Sequence, residues 1–166
     1  MADLTQAGNQ MLRIAQVLDG AYDDVALQLR MTGTSKVVSK TVTFTGAANN
    51  GAVGTIPLFT VTGAVLATVV ALCTTTLAGA TATQSVGPAG APTGLIPSVV
   101  ATTITAGLPV DSTGLLAILG AANITPTKIL FNSQNIIATV GVANITAGVL
   151  QYLCFYRPLS SDAVVV

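Results

Sequence analysis

Two periods divide the chain. Over the first twenty residues, Leu4, Ala7, Met11, Ile14 and Leu18 recur at steps of three and four, which lays one apolar stripe along a helix. Asp3 stands near the start, where a negative charge favours the helix dipole, and Gly20 follows the last apolar position. Two heptads do not hold a helix in water unaided. The stripe Leu4, Met11, Ile14 and Leu18 must therefore rest either on its own domain or on a partner or sister arm.

From Val25 onward the period is two. Val25, Leu27, Leu29 and Met31 alternate with Ala26, Gln28 and Arg30, the pattern of a half-buried strand. Further strands are expected over 36–45, 53–62, 64–74, 81–86, 95–105, 115–119, 128–131, 136–142 and 149–156, with 115–119 equally open to a short helical turn. Pro57 removes a ladder donor, which marks its strand as an edge or a bulge. Asn50-Gly51 is a turn dipeptide, because both residues tolerate positive φ. Segment 64–74 is apolar on both faces, so it is either sandwiched within the domain or covered by a neighbouring subunit. Short strands with turn signals every 8–12 residues predict an all-β fold, an antiparallel β-sandwich of jelly-roll-like type. The expected organisation is a helical arm over 1–20 and a β-sandwich domain over 21–166.

Composition sharpens this picture. Only 7% of residues are charged and the formal net charge is zero, where ordinary domains carry about 25%. No charged residue occurs between 41 and 110, and 24 threonines supply polarity without charge. A spanning helix needs about 20 unbroken apolar residues, and the best run, 64–73, is too short. Four Phe and three Tyr do not furnish the aromatic girdles of a membrane barrel. Disorder is at odds with so much Val, Ile and Leu. A folded protein whose surface is covered by identical neighbours fits best. The opening residues lack the basic start and apolar core of a signal peptide, so synthesis in a cytoplasm is expected.

Chemistry is short of parts. Without His or Glu there is no Ser-His-Asp triad, no Cys-His pair and no His-based metal site. Asp23 and Asp24 have no EF-hand spacing around them. Asp111-Ser112-Thr113-Gly114 reads as a turn. Gly87-Pro88-Ala89-Gly90 lacks the Lys and Ser/Thr of a phosphate loop. Six scattered Lys and Arg make no basic patch for nucleic acid. Cys73 and Cys154 lie in apolar strand-like runs and are expected as buried thiols, the alternative being a bridge between neighbouring strands. Asn123-Ile124-Thr125 and Asn144-Ile145-Thr146 match the glycosylation pattern but read as turns. No enzyme activity, cofactor, metal, nucleic acid or membrane is expected.

A resemblance adds a destination. Lys40-Thr41-Val42-Thr43-Phe44-Thr45-Gly46, Gly51-Ala52-Val53-Gly54 and Pro57-Leu58-Phe59-Thr60-Val61-Thr62-Gly63 resemble small virion structural proteins of tailed bacteriophages. So do Leu77-Ala78-Gly79-Ala80-Thr81-Ala82-Thr83, Ile136-Ile137-Ala138-Thr139-Val140-Gly141, Ile145-Thr146-Ala147-Gly148 and Arg157-Pro158-Leu159-Ser160-Ser161-Asp162. The likeness implies a capsid decoration (cement) protein on the virion surface. Its partners would be the major capsid protein and itself, as a homo-oligomer, with a trimer expected. The alternative is a head- or tail-attached fibre or receptor-binding component.

Overall fold

The computed structural model describes residues 36–112, 114–115, 128–130 and 134–166. The stripe of Leu4, Met11, Ile14 and Leu18, the segment 25–31, the pair Asp23-Asp24 and the motif at Asn123 lie outside them. Twelve strands run through the described residues: β1 Lys36–Thr43, β2 Gly54–Phe59, β3 Val61–Thr62, β4 Val65–Ala78, β5 Thr83–Pro88 and β6 Ile96–Val100 in the first half. The second half holds β7 Pro109–Asp111, β8 Gly114–Leu115, β9 Lys128–Leu130, β10 Ile136–Gly141, β11 Ala147–Pro158 and β12 Val164–Val165. A single 3-10 turn covers Ala101–Thr103.

The class is all-β and every strand pairing is antiparallel. One sheet has the order β1-β11-β4-β7-β8, with β9 also on β4; the second is β2-β10-β5-β6, and β12-β3 forms a short ribbon. Period two is the cause. In β4, Val65, Ala67, Val69, Ala71 and Cys73 are buried while the residues between them are half-buried. In β11, Leu150, Tyr152, Cys154 and Tyr156 alternate in the same way. Register then matches size to size. Tyr152 lies opposite Ala71 and Tyr156 opposite Ala67, so each ring occupies the room its small neighbour leaves.

The second sheet offers Ile56, Val86, Ile96, Ile136, Ala138 and Val140 to the same buried cluster. One polar contact joins the sheets within that cluster. Gln84 Nε2 donates to the Tyr152 hydroxyl at 2.6 Å, both residues being buried. Removal from water raises the Tyr152 phenol well above its ordinary range, although the Gln84 bond draws it slightly back.

Several local expectations shift for identifiable reasons. Positive φ falls on Asn49 (59°) and Gly51 (113°), not on Asn50, because Ala47 O accepts from both Asn50 N and Ala52 N and pulls the chain into that curl. Segment 95–105 is a strand only to Val100, after which the 3-10 turn brings Ile104 O to Leu77 N. Gly87 and Pro88 end β5 instead of opening the loop. Pro57 does sit in an edge strand, and the register beside it slips between Ile136 and Ile137. The motif Asn144-Ile145-Thr146 is a turn, as expected, with Ile145 fully buried. Asp111 pairs with Gly114 across the β7–β8 turn.

Candidate functional site

Three features of the described surface are built well enough to act. The first is the outward face of the first sheet. The outward residues of β4 and β11 are not polar: Leu66, Val70, Leu72, Leu153 and Phe155 are all half-buried on that side. Register orders them into rows. Val37 lies beside Phe155 and Thr68, Ser39 beside Leu153 and Val70, and Thr41 beside Gln151 and Leu72. At the far end Arg157 faces Leu66, which faces Ile129. Val37 and Ile129, on opposite flanks, are 51% and 55% exposed. The result is an apolar centre with a Ser, Thr and Gln border.

The second sheet supplies a comparison within the same protein. Its outward positions Thr55, Thr139, Ser85 and Thr83 lie side by side or diagonally across β2, β10 and β5. That is how a solvated antiparallel face reads, polar outside and apolar inside. The first sheet breaks this rule and the second keeps it.

The second feature is a groove of about 360 Å3 between the open edges of β1 and β2, lined by Val38, Lys40, Pro57, Phe59, Asn135 and Val166, among others. Lys40 shares the core-facing side of β1 with Val38 and Val42, yet its ammonium leaves the core and Nζ donates to Pro57 O at 2.8 Å. An inward-aimed Lys on an edge strand obstructs pairing with another strand, since docking would strand the charge. Asn135 Oδ1 accepts from Val61 N at 3.1 Å, and Thr60 and Val166 exchange backbone hydrogen bonds in both directions. The groove is therefore framed by a pinned ribbon.

The third feature is the loop end around Val142. Val142 is 76% exposed with φ 67°, and Ala143 N donates to Gly141 O at 2.8 Å, closing a three-residue turn around it. A β-branched residue there holds roughly 1–3 kcal/mol of strain. Its surroundings keep it in place. Asn144 Oδ1 accepts from Val53 N at 3.0 Å, Asn144 Nδ2 donates to Gly46 O at 3.3 Å, and Ile145 N donates to Gly51 O at 2.7 Å.

The cysteines belong to the core. Cys73 lies opposite Leu150, and Cys154 lies opposite Val69. Four residues of strand between Cys73 and Val69 set the two cysteines about 13 Å apart along the sheet. A disulfide needs Cα atoms within about 7 Å. Both thiols are free and buried. Burial pushes Cys154 up to about 12 from 9.0. Burial also raises Cys73, partly offset by backbone hydrogen bonds around Thr75 and Leu77. Reductant should therefore leave the melting temperature unchanged. For an acid whose folded pKa is raised, the native state keeps a proton that the unfolded chain releases. Stability is then whole below pH 9 and falls as pH climbs from 9 toward 12, with Tyr152 adding to the fall above its ordinary 10.0. Thermal melts across alkaline pH test this, with Cys154→Ala expected to flatten the early part of the decline.

The sequence singled out β4 as apolar on both faces, and the structure places it at the centre of the outward face. It missed β11 and Lys40. The signal for β11 was present in Leu153 and Phe155, which interleave with Leu150, Tyr152 and Cys154 so that neither set is polar. Lys40 carried no such signal, because only the approach of β2 gives its ammonium a partner. Among the described residues no group of three His, Cys, Asp or Glu side chains is placed to hold a metal ion. Nor is any described helix long and apolar enough to cross a membrane.

No family model and no curated protein matches the chain. Among solved structures it is similar to the cyanophage Pam1 capsid asymmetric unit, at 21% identity and a TM-score of 0.45, over 75% of this chain and 86% of that one.

Proposed function

We propose that this chain is a non-enzymatic structural protein of a tailed-phage virion, a decoration protein that binds and stabilises the assembled head. The observation that carries the reading is the β4–β11 pair, apolar on both faces in a domain whose other sheet wears Thr and Ser outside. A contiguous apolar patch of this kind is the mark of a protein interface. The resemblance of residues 40–162 to small virion proteins supplies the setting.

Strand order supports a jelly roll as the scaffold. Taking β1, β2, β4, β5, β6, β7, β10 and β11 as the eight principal strands, the sheets read first-eighth-third-sixth and second-seventh-fourth-fifth. That alternation between two sheets is the double Greek key used in viral capsid domains. It leaves the outward face of the first sheet flat and available.

A cement protein binds the finished lattice and not its loose parts, so it stabilises the shell by mass action. Purified full-length protein should co-sediment with shells that lack it and raise the temperature at which they burst. Free capsid subunits should not bind. Loss of co-sedimentation under all conditions would remove the proposal. The arm, through Leu4, Met11, Ile14 and Leu18, is proposed as a second contact. Deleting residues 1–19 should then weaken shell binding several-fold while the β domain still melts cooperatively.

A further inference from the structure

The outward face of the first sheet has a second use beyond the general role just proposed, and it rests on that reading only for its setting. We infer that this face is where two copies of the chain stack, sheet against sheet, so that Leu153 and Val70 of each copy lie near the centre of the contact.

Three observations select a second copy over a foreign partner. The first is charge. Across the rows from Val37 to Leu72 the face carries no formal charge, and Arg157 stands alone at one end. A charged partner would find nothing to complement, whereas two neutral faces meet without desolvating an ion. The whole chain has zero net charge, so two copies approach without long-range repulsion.

The second is area. Four strands at about 4.8 Å spacing and nine residues at about 3.3 Å rise give a footprint of roughly 570 Å2. Two such faces bury roughly 1,100 Å2, just above the ~1,000 Å2 that a specific association needs. The third is composition. Leu, Val and Phe at the centre, Ser, Thr and Gln around them and one Arg at the edge reproduce the anatomy of a protein interface, charge-depleted within and polar at the rim.

Geometry then sets the symmetry. A patch that meets itself does so about a two-fold axis. With the axis passing between Leu153 and Val70, the two Arg157 side chains go to opposite ends and do not face each other. Facing sheets would sit about 10 Å apart with strands crossing near 30°. Such stacking makes a dimer. The trimer expected from the sequence would need a second, different contact.

The test uses the full-length chain. Light scattering after gel filtration across the micromolar range should report a dimer of a 16.6 kDa chain for the wild type. Val70→Asp and Leu153→Asp should each shift it to monomer while strand circular dichroism and melting temperature hold, because both side chains point away from the core. Val70→Cys should give an inter-chain crosslink under mild oxidant, against a silent background, since Cys73 and Cys154 are buried. If the Asp variants unfold, the Val70→Cys crosslink decides alone. A monomeric wild type, or a dimer that both Asp variants leave intact, overturns the inference. If the wild type is monomeric and Val70→Asp still abolishes shell binding, the capsid occupies the face: the dimer is wrong and the decoration role stands. If Val70→Asp lowers the melting temperature without changing mass, the chain's own residues cover the face, and the inference also falls. A dimer that Val70→Asp dissociates, with no binding to shells by the wild type, would keep the interface and remove the proposed function.

Discussion

Replacing Tyr152 with Ala should cost about 3–5 kcal/mol of stability, as for other large aromatic side chains removed from a core. Tyr152 is fully buried, and its ring fills the space over Ala71. Its hydroxyl is the acceptor for Gln84 Nε2, so the same side chain both packs the first sheet and ties it to the second. The two contributions separate experimentally. Tyr152→Phe keeps the ring and leaves the Gln84 amide buried without its partner, which should cost about 1–3 kcal/mol. Adding Gln84→Met removes the orphaned amide as well. The double variant should therefore be markedly more stable than the two single losses summed, a coupling readable from urea denaturation. If Tyr152→Phe were as stable as the wild type, the hydrogen bond would have no role in holding the sheets together.

Gly51→Ala should be the most damaging single-methyl change in the chain, at roughly 2–5 kcal/mol from backbone strain and overpacking together. Gly51 holds φ at 113°, in the region side chains avoid, and a Cβ there would lie 2.1 Å from Ile145 O. Relief by moving Ile145 is blocked, because Ile145 N donates to Gly51 O and its side chain is fully buried. The substitution should therefore loosen both loops that frame Val142 and Val53. Gly90→Ala is the matched control, since a Cβ at Gly90 meets nothing within 4 Å and its φ is not positive. It should be neutral or gain about 0.4–1 kcal/mol from a less flexible unfolded chain. Thermal melts of the pair decide the point. Equal effects would mean that the loop contact at Ile145 bears no load.

What the sequence determined by itself is the class and most of the strand positions. Alternation along a strand is a local property: Val65, Ala67, Val69, Ala71 and Cys73 announce one buried face whatever lies opposite. Pro57 could announce an edge for the same reason, because a missing N–H is missing in any sheet. The turn at Asn144 was likewise legible, since its side chain favours bending before any partner arrives.

What only the tertiary structure decided are the relations between residues far apart in the chain. Gln84 and Tyr152 are 68 positions apart, and neither pattern marks the other as its partner. Lys40 reads as an ordinary strand lysine until β2 brings Pro57 O to its ammonium. Three threonines, Thr74 to Thr76, read as the end of a strand. They instead continue β4 to Ala78, because β11 and the segment at Ile104 supply hydrogen bonds along it. Positive φ moved from Asn50 to Asn49 because Ala47 O, Gly51 and Ile145 close the loop together. The physical reason is the same in each case. Side-chain alternation is written one residue at a time, whereas pairing and close approach depend on which distant strand arrives, and that is settled only when both sheets close over a shared core.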